Sequence, residues 1–242
     1  MEKSFPDKKR REDLGELEKR LSYGFRSITL LETALTHRSY VNENPQLAIA
    51  DNERYEFLGD AVLGLCVSDL LVKTYSDFDE GTLSKIRAAL VNEKPLALLA
   101  HKLDIGSFLL LGKGEESSGG RTKDSLLANA LEAVIAAIYL DSGFAKARSI
   151  IKKLIGPMLR NDNLRSQYFD YKTALQELCQ KKYKCAPVYK LIDSSGPDHA
   201  KTFAVEVNIA DEIVRIGSGK SKKEAEKQAA QKVWEELHDE NE

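Results

Sequence analysis

Glu53, Glu56 and Asp60 stand at i, i+3 and i+7 in the run Asp51-Asn52-Glu53-Arg54-Tyr55-Glu56-Phe57-Leu58-Gly59-Asp60-Ala61-Val62-Leu63. Helical spacing places all three carboxylates on one face. Carboxylates gathered in this way repel one another unless a cation neutralises them. Such a set of hard oxygen donors suits a divalent ion such as magnesium. A second pair of oxygen donors, Asn129 and Glu132 at i and i+3, lies in Leu126-Leu127-Ala128-Asn129-Ala130-Leu131-Glu132-Ala133 and would complete the set. The chemistry open to it is metal-assisted hydrolysis, which needs an activated water and a stabilised leaving oxygen. No recognisable Ser-His-Asp or Cys-His signature competes for the nucleophile role.

These donors need helices to position them, and the first part of the chain supplies helical patterns. Residues from about Leu14 to Ile155 read as helices joined by short loops. Apolar residues recur with helical spacing from Ile28 to Thr36, from Leu83 to Leu90 and from Leu126 to Tyr139. The glycine-rich stretch Gly112–Arg121 lacks the spacing of a phosphate-binding loop and reads as a connector into a helix starting near Ser125. A polar run, Arg160 to Gln167, reads as a linker.

Beyond it the periodicity changes. A helix from about Lys172 to Lys182 precedes strand-like runs at Val188–Ile192, Thr202–Ile209 and Glu212–Ile216, then a long helix from Lys222 to Leu237. Ala225, Ala229, Val233 and Leu237 give that last helix a buried stripe. Gly217-Ser218-Gly219-Lys220-Ser221, placed after a strand and before a helix, superficially suggests a P-loop. The first glycine of that motif is replaced by Val214, so a nucleotide cofactor is not expected. Ser221-Lys222-Lys223-Glu224 instead has the form of a capping box. Lys220, Lys222 and Lys223 then cluster at a positive helix N-terminus suited to phosphate, with Lys227 one turn on.

Composition narrows the classes. The 242 residues, 42% of them hydrophobic, suffice for one or two cored domains. No apolar run reads as a membrane span, and the first residues lack a signal peptide's apolar core. Cys66, Cys179 and Cys185 include no Cys-x-x-Cys pair, which disfavours structural zinc and a disulfide framework and fits a reducing cytoplasm. The formal net charge is −2, so any nucleic-acid contact must use local basic patches.

The Asp51–Leu63 segment and the motifs after it closely resemble bacterial ribonuclease III, in the family's order and over most of the chain. The resemblance implies a two-domain fold, all-α plus α+β. An all-helical endonuclease domain at residues 12–160 is followed by a linker at 161–168. An α-β-β-β-α double-stranded-RNA-binding domain follows at 169–238. It implies a cytoplasmic, homodimeric enzyme that hydrolyses phosphodiester bonds of double-stranded RNA. Expected products have 5′-phosphate and 3′-hydroxyl ends with a short 3′ overhang, and the expected substrates are precursors of ribosomal and other structured RNA. The cofactor implied is magnesium, for which manganese can substitute.

Residue by residue, the resemblance makes Glu56, Asp60, Asn129 and Glu132 the metal ligands, with Asp60 and Glu132 catalytic. Glu53 and Glu80, the latter in Asp79-Glu80-Gly81-Thr82-Leu83-Ser84, would support the site; a helix-start carboxylate is the plainer reading of Glu80. His37, in Thr36-His37-Arg38-Ser39, reads as a hydrogen-bonded structural histidine rather than a base. Thr173, Gln176, His199, Lys220, Lys222 and Lys223 would contact RNA. The first helix and the Gly196–Ala200 loop would enter successive minor grooves, reading shape more than sequence. Phe57 would pack across a dimer interface or, on the plainer reading, inside the core.

Asn129 departs from the family, which has an aspartate there. An amide oxygen still ligates a cation but carries no full charge, so weaker metal binding is expected. Three accounts stay open: an active natural variant, a natural binder that does not cut, and an engineered substrate trap. Retained activity is favoured. The rival from another class is a double-stranded-RNA-binding regulator with weak cleavage.

Overall fold

The computed structural model describes residues 7–159, 168–197 and 201–239, with side chains to Leu237. Its contacts divide into two compact units, Met1–Tyr168 and Phe169–Glu242.

The first unit is helical. Its helices are α1 (Lys8–Leu21), α2 (Ile28–Ala34), α3 (Arg38–Glu43), α4 (Glu53–Thr74), α5 (Glu80–Leu90), α6 (Glu93–Lys102), α7 (Lys113–Ser117) and α8 (Asp124–Leu159). Short 3-10 turns occur at Pro45–Leu47, Ile105–Phe108 and Gly120–Thr122. In α4, Gly59, Val62, Leu63, Cys66, Val67, Leu70 and Leu71 are buried, a stripe of helical period facing the core. The first half of α8 is buried almost all round, from Leu127 to Ile138, as befits the central helix of the bundle. By length and composition α8 could cross a membrane, an exception to the expectation that no run in this chain would. Its apolar residues are satisfied in the core of this unit instead.

The broad helical pattern conceals a break. Gly143 interrupts α8 at φ 76° and ψ 178°, a backbone position that favours glycine. The N-terminal helix is fastened by a part-buried ion pair: Arg10 Nε lies 2.9 Å from Oε2 of the buried Glu32. Arg10 also donates to the Phe108 carbonyl at 2.6 Å. Burial pushes the Glu32 carboxyl above its ordinary range, and the Arg10 guanidinium opposes that shift.

The second unit contains α9 (Tyr171–Lys182), β1 (Val188–Ser195), β2 (Thr202–Ile209), β3 (Ile213–Gly219) and α10 (Lys222–Asp239). The sheet is antiparallel in the order β1-β2-β3, with Tyr189, Val207 and Arg215 in register. Val205, Val207 and Ile209 point inward, where Ala225, Ala229, Ala230 and Val233 of α10 are also buried. Phe169, Tyr171 and Trp234 meet edge to face, Phe169 lying 4.7 Å from Tyr171 and 5.0 Å from Trp234. Ala210 and Asp211 supply the positive φ values that turn β2 into β3.

Two strands run further than their patterns suggested. β1 continues to Ser195 through an irregularity between Leu191 and Asp193. β3 continues through Gly217 and Gly219, beyond the strand-like run that the sequence ended at Ile216. A Cβ on Gly217 would lie 2.2 Å from the Ala225 carbonyl oxygen and 2.2 Å from the Ala229 nitrogen. The strand therefore packs backbone to backbone on α10, and glycine serves close approach here rather than a turn.

Candidate active site and nucleic-acid interface

The acidic site is built where α4 meets α8. A Cβ on Gly59 would fall 1.9 Å from the Glu132 carbonyl oxygen, so the two backbones touch at that level. Asp60 follows Gly59 directly, and Glu56 and Asn129 lie three residues N-terminal to Gly59 and Glu132, nearly one turn back on their helices.

Asn52 anchors the start of α4. Its buried Nδ2 donates to the Ala34 carbonyl at 3.2 Å and its backbone N–H to the Thr36 carbonyl at 2.9 Å. Asp51 then accepts from Glu53 N at 3.1 Å, satisfying one of the free donors at the helix start. The motif's Asp-Asn pair therefore positions the helix that carries the carboxylates.

The electrostatics show which groups face one another. Glu132 is pushed up to about 7, first by burial and then by the charges of Asp60 and Glu56. Glu56 is also raised, by burial and by Glu53 and Asp60, while a hydrogen bond from the Asn129 side chain opposes the shift. Glu56, Asp60, Asn129 and Glu132 thus lie within one electrostatic neighbourhood. Glu53 reaches Glu56 by charge, yet its own carboxylate pairs with Arg38 Nη1 at 2.8 Å.

A divalent cation is the natural counter-charge to this set. Every donor is an oxygen, and two carboxyls already suffer from unrelieved negative charge. Among the described residues no three His, Cys, Asp or Glu side chains form a ready metal cage. A magnesium-type ion does not require one: it is commonly held by one or two carboxylates together with water and substrate phosphate. The residues present therefore fit such an ion.

Glu80 lies elsewhere. It accepts from Ser84 Oγ at 2.8 Å and lines a groove with Ser68, Leu71, Val72, Leu83 and Arg87. It is not among the charges that raise Glu56 or Glu132. His37 begins α3, where its Nδ1 accepts from Ser39 N at 3.3 Å, while Ser39 Oγ accepts from Gly112 N at 2.9 Å. That is a structural role. Phe57 is 81% exposed and so is no core residue of this unit. With Leu65 and Val72 it forms an exposed apolar strip along one side of α4.

In the second unit Ser221 Oγ accepts from Glu224 N at 3.2 Å, while Glu224 Oε2 accepts from Lys220 N at 2.8 Å. The reciprocal cap thus closes one residue earlier than the simplest capping box. Lys220, Lys222 and Lys223 are exposed at this helix start, with no ion pair among the described residues. Thr173 and Gln176 are exposed on α9, lining an open groove with Glu177, Gln180 and Lys181. Asp170 fixes that helix start by accepting from Thr173 N at 3.2 Å. His199 lies outside the described residues.

A helical unit with clustered oxygen donors, followed by an α-β-β-β-α unit with a lysine-tipped helix, defines a nuclease of the kind that acts on duplex RNA. A Ribonuclease-III-like family model matches residues 27–159, and a Double-stranded RNA binding motif model matches residues 171–237. "Ribonuclease 3" of Syntrophobacter fumaroxidans is 50% identical over 90% of this chain and 91% of its own length. "Ribonuclease 3" of Borreliella burgdorferi is 47% identical over 92% and 90% respectively. A nuclease-domain structure of ribonuclease III from Campylobacter jejuni aligns with TM-score 0.56 and 46% identity, covering 60% of this chain and 96% of that one; its description concerns flexibility in a region involved in dimer formation. The chain belongs to the ribonuclease III family. It is a metal-dependent endoribonuclease specific for double-stranded RNA.

Proposed function

We propose that Glu56, Asp60, Asn129 and Glu132 hold magnesium, with manganese able to replace it, and that Asp60 and Glu132 are the catalytic pair. The observation that carries this reading is Glu132: a half-buried carboxyl facing Asp60 and Glu56, with its proton affinity raised to about 7. A divalent cation supplies the positive charge that activates water and stabilises the leaving oxygen of the phosphodiester. Without it, burial and the charges of Asp60 and Glu56 make Glu132 hold its proton more tightly than an ordinary carboxyl does. With it, the ionised carboxylates are the stable form, and Glu132 can accept a proton in the cleavage step. Glu53 restrains Arg38 beside the site, and Glu80 has at most an indirect supporting part.

In this reading residues 12–160 cut and residues 169–238 bind, joined by a linker at 161–168. Thr173 and Gln176 on α9, and His199 in its loop, contact successive minor grooves, while Lys220, Lys222 and Lys223 contact the phosphates between them. Phe57, with Leu65 and Val72, packs against a second copy, giving a homodimer whose two sites cut opposite strands. The products carry 5′-phosphate and 3′-hydroxyl ends. Precursors of ribosomal and other structured RNA in the cytoplasm are the substrates.

Incubation with a long RNA duplex tests the reading. Cleavage is expected with magnesium and none with EDTA, while binding persists in EDTA. Cleavage that survives chelation would remove the metal site from the mechanism. The Lys222→Ala/Lys223→Ala variant tests the binding surface. It is expected to bind duplex about tenfold or more weakly, with a salt dependence shallower by roughly two phosphate contacts. Unchanged binding and an unchanged salt slope would move the RNA surface off the α10 start.

A further inference from the structure

We propose that Arg38 is a substrate-binding residue of the nuclease unit: its guanidinium takes a backbone phosphate flanking the cut, and Glu53 holds it in place until RNA arrives. The inference rests on the reading of the carboxylates of α4 and α8 as the cleavage site.

The pair is seated on the acidic face. Arg38 Nη1 lies 2.8 Å from Glu53 Oε1. Glu53 opens α4, with Glu56 and Asp60 at i+3 and i+7 of the same helix. At a rise of about 1.5 Å per residue, Glu53 stands about 10 Å along the axis from Asp60. The guanidinium is therefore beside the carboxylates but too far along the helix to meet the phosphorus being cut. A duplex laid over this face brings a neighbouring phosphate past Arg38. RNA approaching a carboxylate cluster also meets like charge, which a cation at the edge of the cluster offsets.

The backbone that carries Arg38 is fixed on both sides. Asn52 N–H donates to the Thr36 carbonyl at 2.9 Å and Asn52 Nδ2 to the Ala34 carbonyl at 3.2 Å, which laces the chain before Arg38 to the residue before Glu53. His37 N–H donates to the Leu110 carbonyl at 3.0 Å, and Ser39 Oγ accepts from Gly112 N at 2.9 Å. The head is not fixed in this way. The Arg38 side chain is 61% exposed, and its guanidinium has no second partner among the described residues. Arg10, Arg20 and Arg121, in contrast, each donate to backbone carbonyls and tie segments together. An exposed pair with a single contact adds little to stability. Most of the Arg38 N–H donors stay open, in the planar fork that matches phosphate. Phosphate can take two of them in parallel where Glu53 takes one, so the exchange of partners favours RNA.

Cleavage of a synthetic RNA duplex by the full-length chain with magnesium tests this. Arg38→Ala should lower kcat/KM about tenfold or more, the loss expected for a charged contact to phosphate. The slope of log kcat/KM against log salt should become shallower by about one. Arg38→Lys should restore the slope and only part of the rate, because an ammonium keeps the charge and loses the fork. The melting midpoints of both variants should stay within about 1 °C of wild type. Replacing the phosphates around the cut one at a time by uncharged methylphosphonate locates the contact. At one flanking position wild type should slow about tenfold while Arg38→Ala slows no further. An Arg38→Ala protein that cuts as wild type does, with the same salt slope, would overturn the proposal. So would a slow variant that responds to every methylphosphonate as wild type does, because the arginine would then act through structure. Normal cleavage by Asp60→Asn would overturn the carboxylate reading and the proposal with it. Loss of cleavage there beside an unaffected Arg38→Ala would overturn the proposal alone.

Discussion

Glu132→Gln is expected to lose about a thousandfold or more in cleavage while binding duplex RNA as wild type does. A metal site contributes several kcal/mol of transition-state stabilisation, and each ~1.4 kcal/mol is a factor of about ten in rate. Glutamine keeps the shape of the side chain but carries neither the charge nor the proton-accepting oxygen. The same substitution should stabilise the protein when no metal is present. Glu132 rises from 4.5 to about 7 on folding, so the folded state binds the proton more tightly than the unfolded chain does. The contribution of Glu132 to metal-free stability is therefore fully present below pH 4.5 and is lost as pH rises through about 7. The full shift corresponds to about 3 kcal/mol, reduced to roughly 1–2 kcal/mol because the carboxyl is part-exposed and screened. In EDTA at pH 8 the variant should melt about 3–6 °C above wild type, and at pH 4 the two should coincide. Duplex cleavage assays and paired melting curves check both halves. A variant that cuts normally would remove Glu132 from the chemistry. One that gains no stability at pH 8 would mean that Glu132 does not carry the repulsion.

The parts of this molecule that were legible in the sequence share a cause: their signal is local. Glu53, Glu56 and Asp60 reveal a helix face through spacing alone. The strand-like runs around Val205 and Val214 reveal a sheet through alternation, and Ser221 with Glu224 marks a helix start. What stayed hidden depends on partners far along the chain. Nothing near Gly217 says that its hydrogen faces the backbone of α10, so the strand pattern stops at Ile216 while the strand itself runs on. Phe57 in a helical pattern reads as readily as core, and only the fold leaves it in solvent. Arg10 and Glu32 look like ordinary surface charges until the fold brings them together as a part-buried pair. Gly143 breaks α8 inside a run whose apolar period continues on both sides, and period alone does not register a single residue at positive φ. In the acidic site, spacing shows which carboxylates share a helix. The juxtaposition of Glu132 with Asp60 requires the contact between two helices.

That contact makes Gly59→Ala the substitution with the largest structural effect expected. The added methyl would sit 1.9 Å from the Glu132 carbonyl oxygen, 2.4 Å from its carbonyl carbon and 3.0 Å from its Cα. All three atoms belong to a backbone within the buried centre of α8, so no side chain can swing aside. The helices must part by about an ångström, and overpacking of this kind typically costs about 1–3 kcal/mol or more. Alanine's better helix propensity returns only about 1 kcal/mol of that. The chemistry should suffer more than the fold. Asp60 is the next residue on α4, and Glu132 is the residue it is pushed away from. A misplacement of about an ångström can cost roughly a hundredfold in rate. Gly64→Ala is the matched control on the same helix, because nothing lies within 4 Å of its added methyl. It should be neutral or slightly stabilising and fully active. Melting curves and duplex cleavage on the two variants separate crowding at one point from any general effect of losing a glycine. If Gly59→Ala melts and cuts as Gly64→Ala does, α4 and α8 do not touch at this level, and the assembly of the acidic site across that contact fails with it.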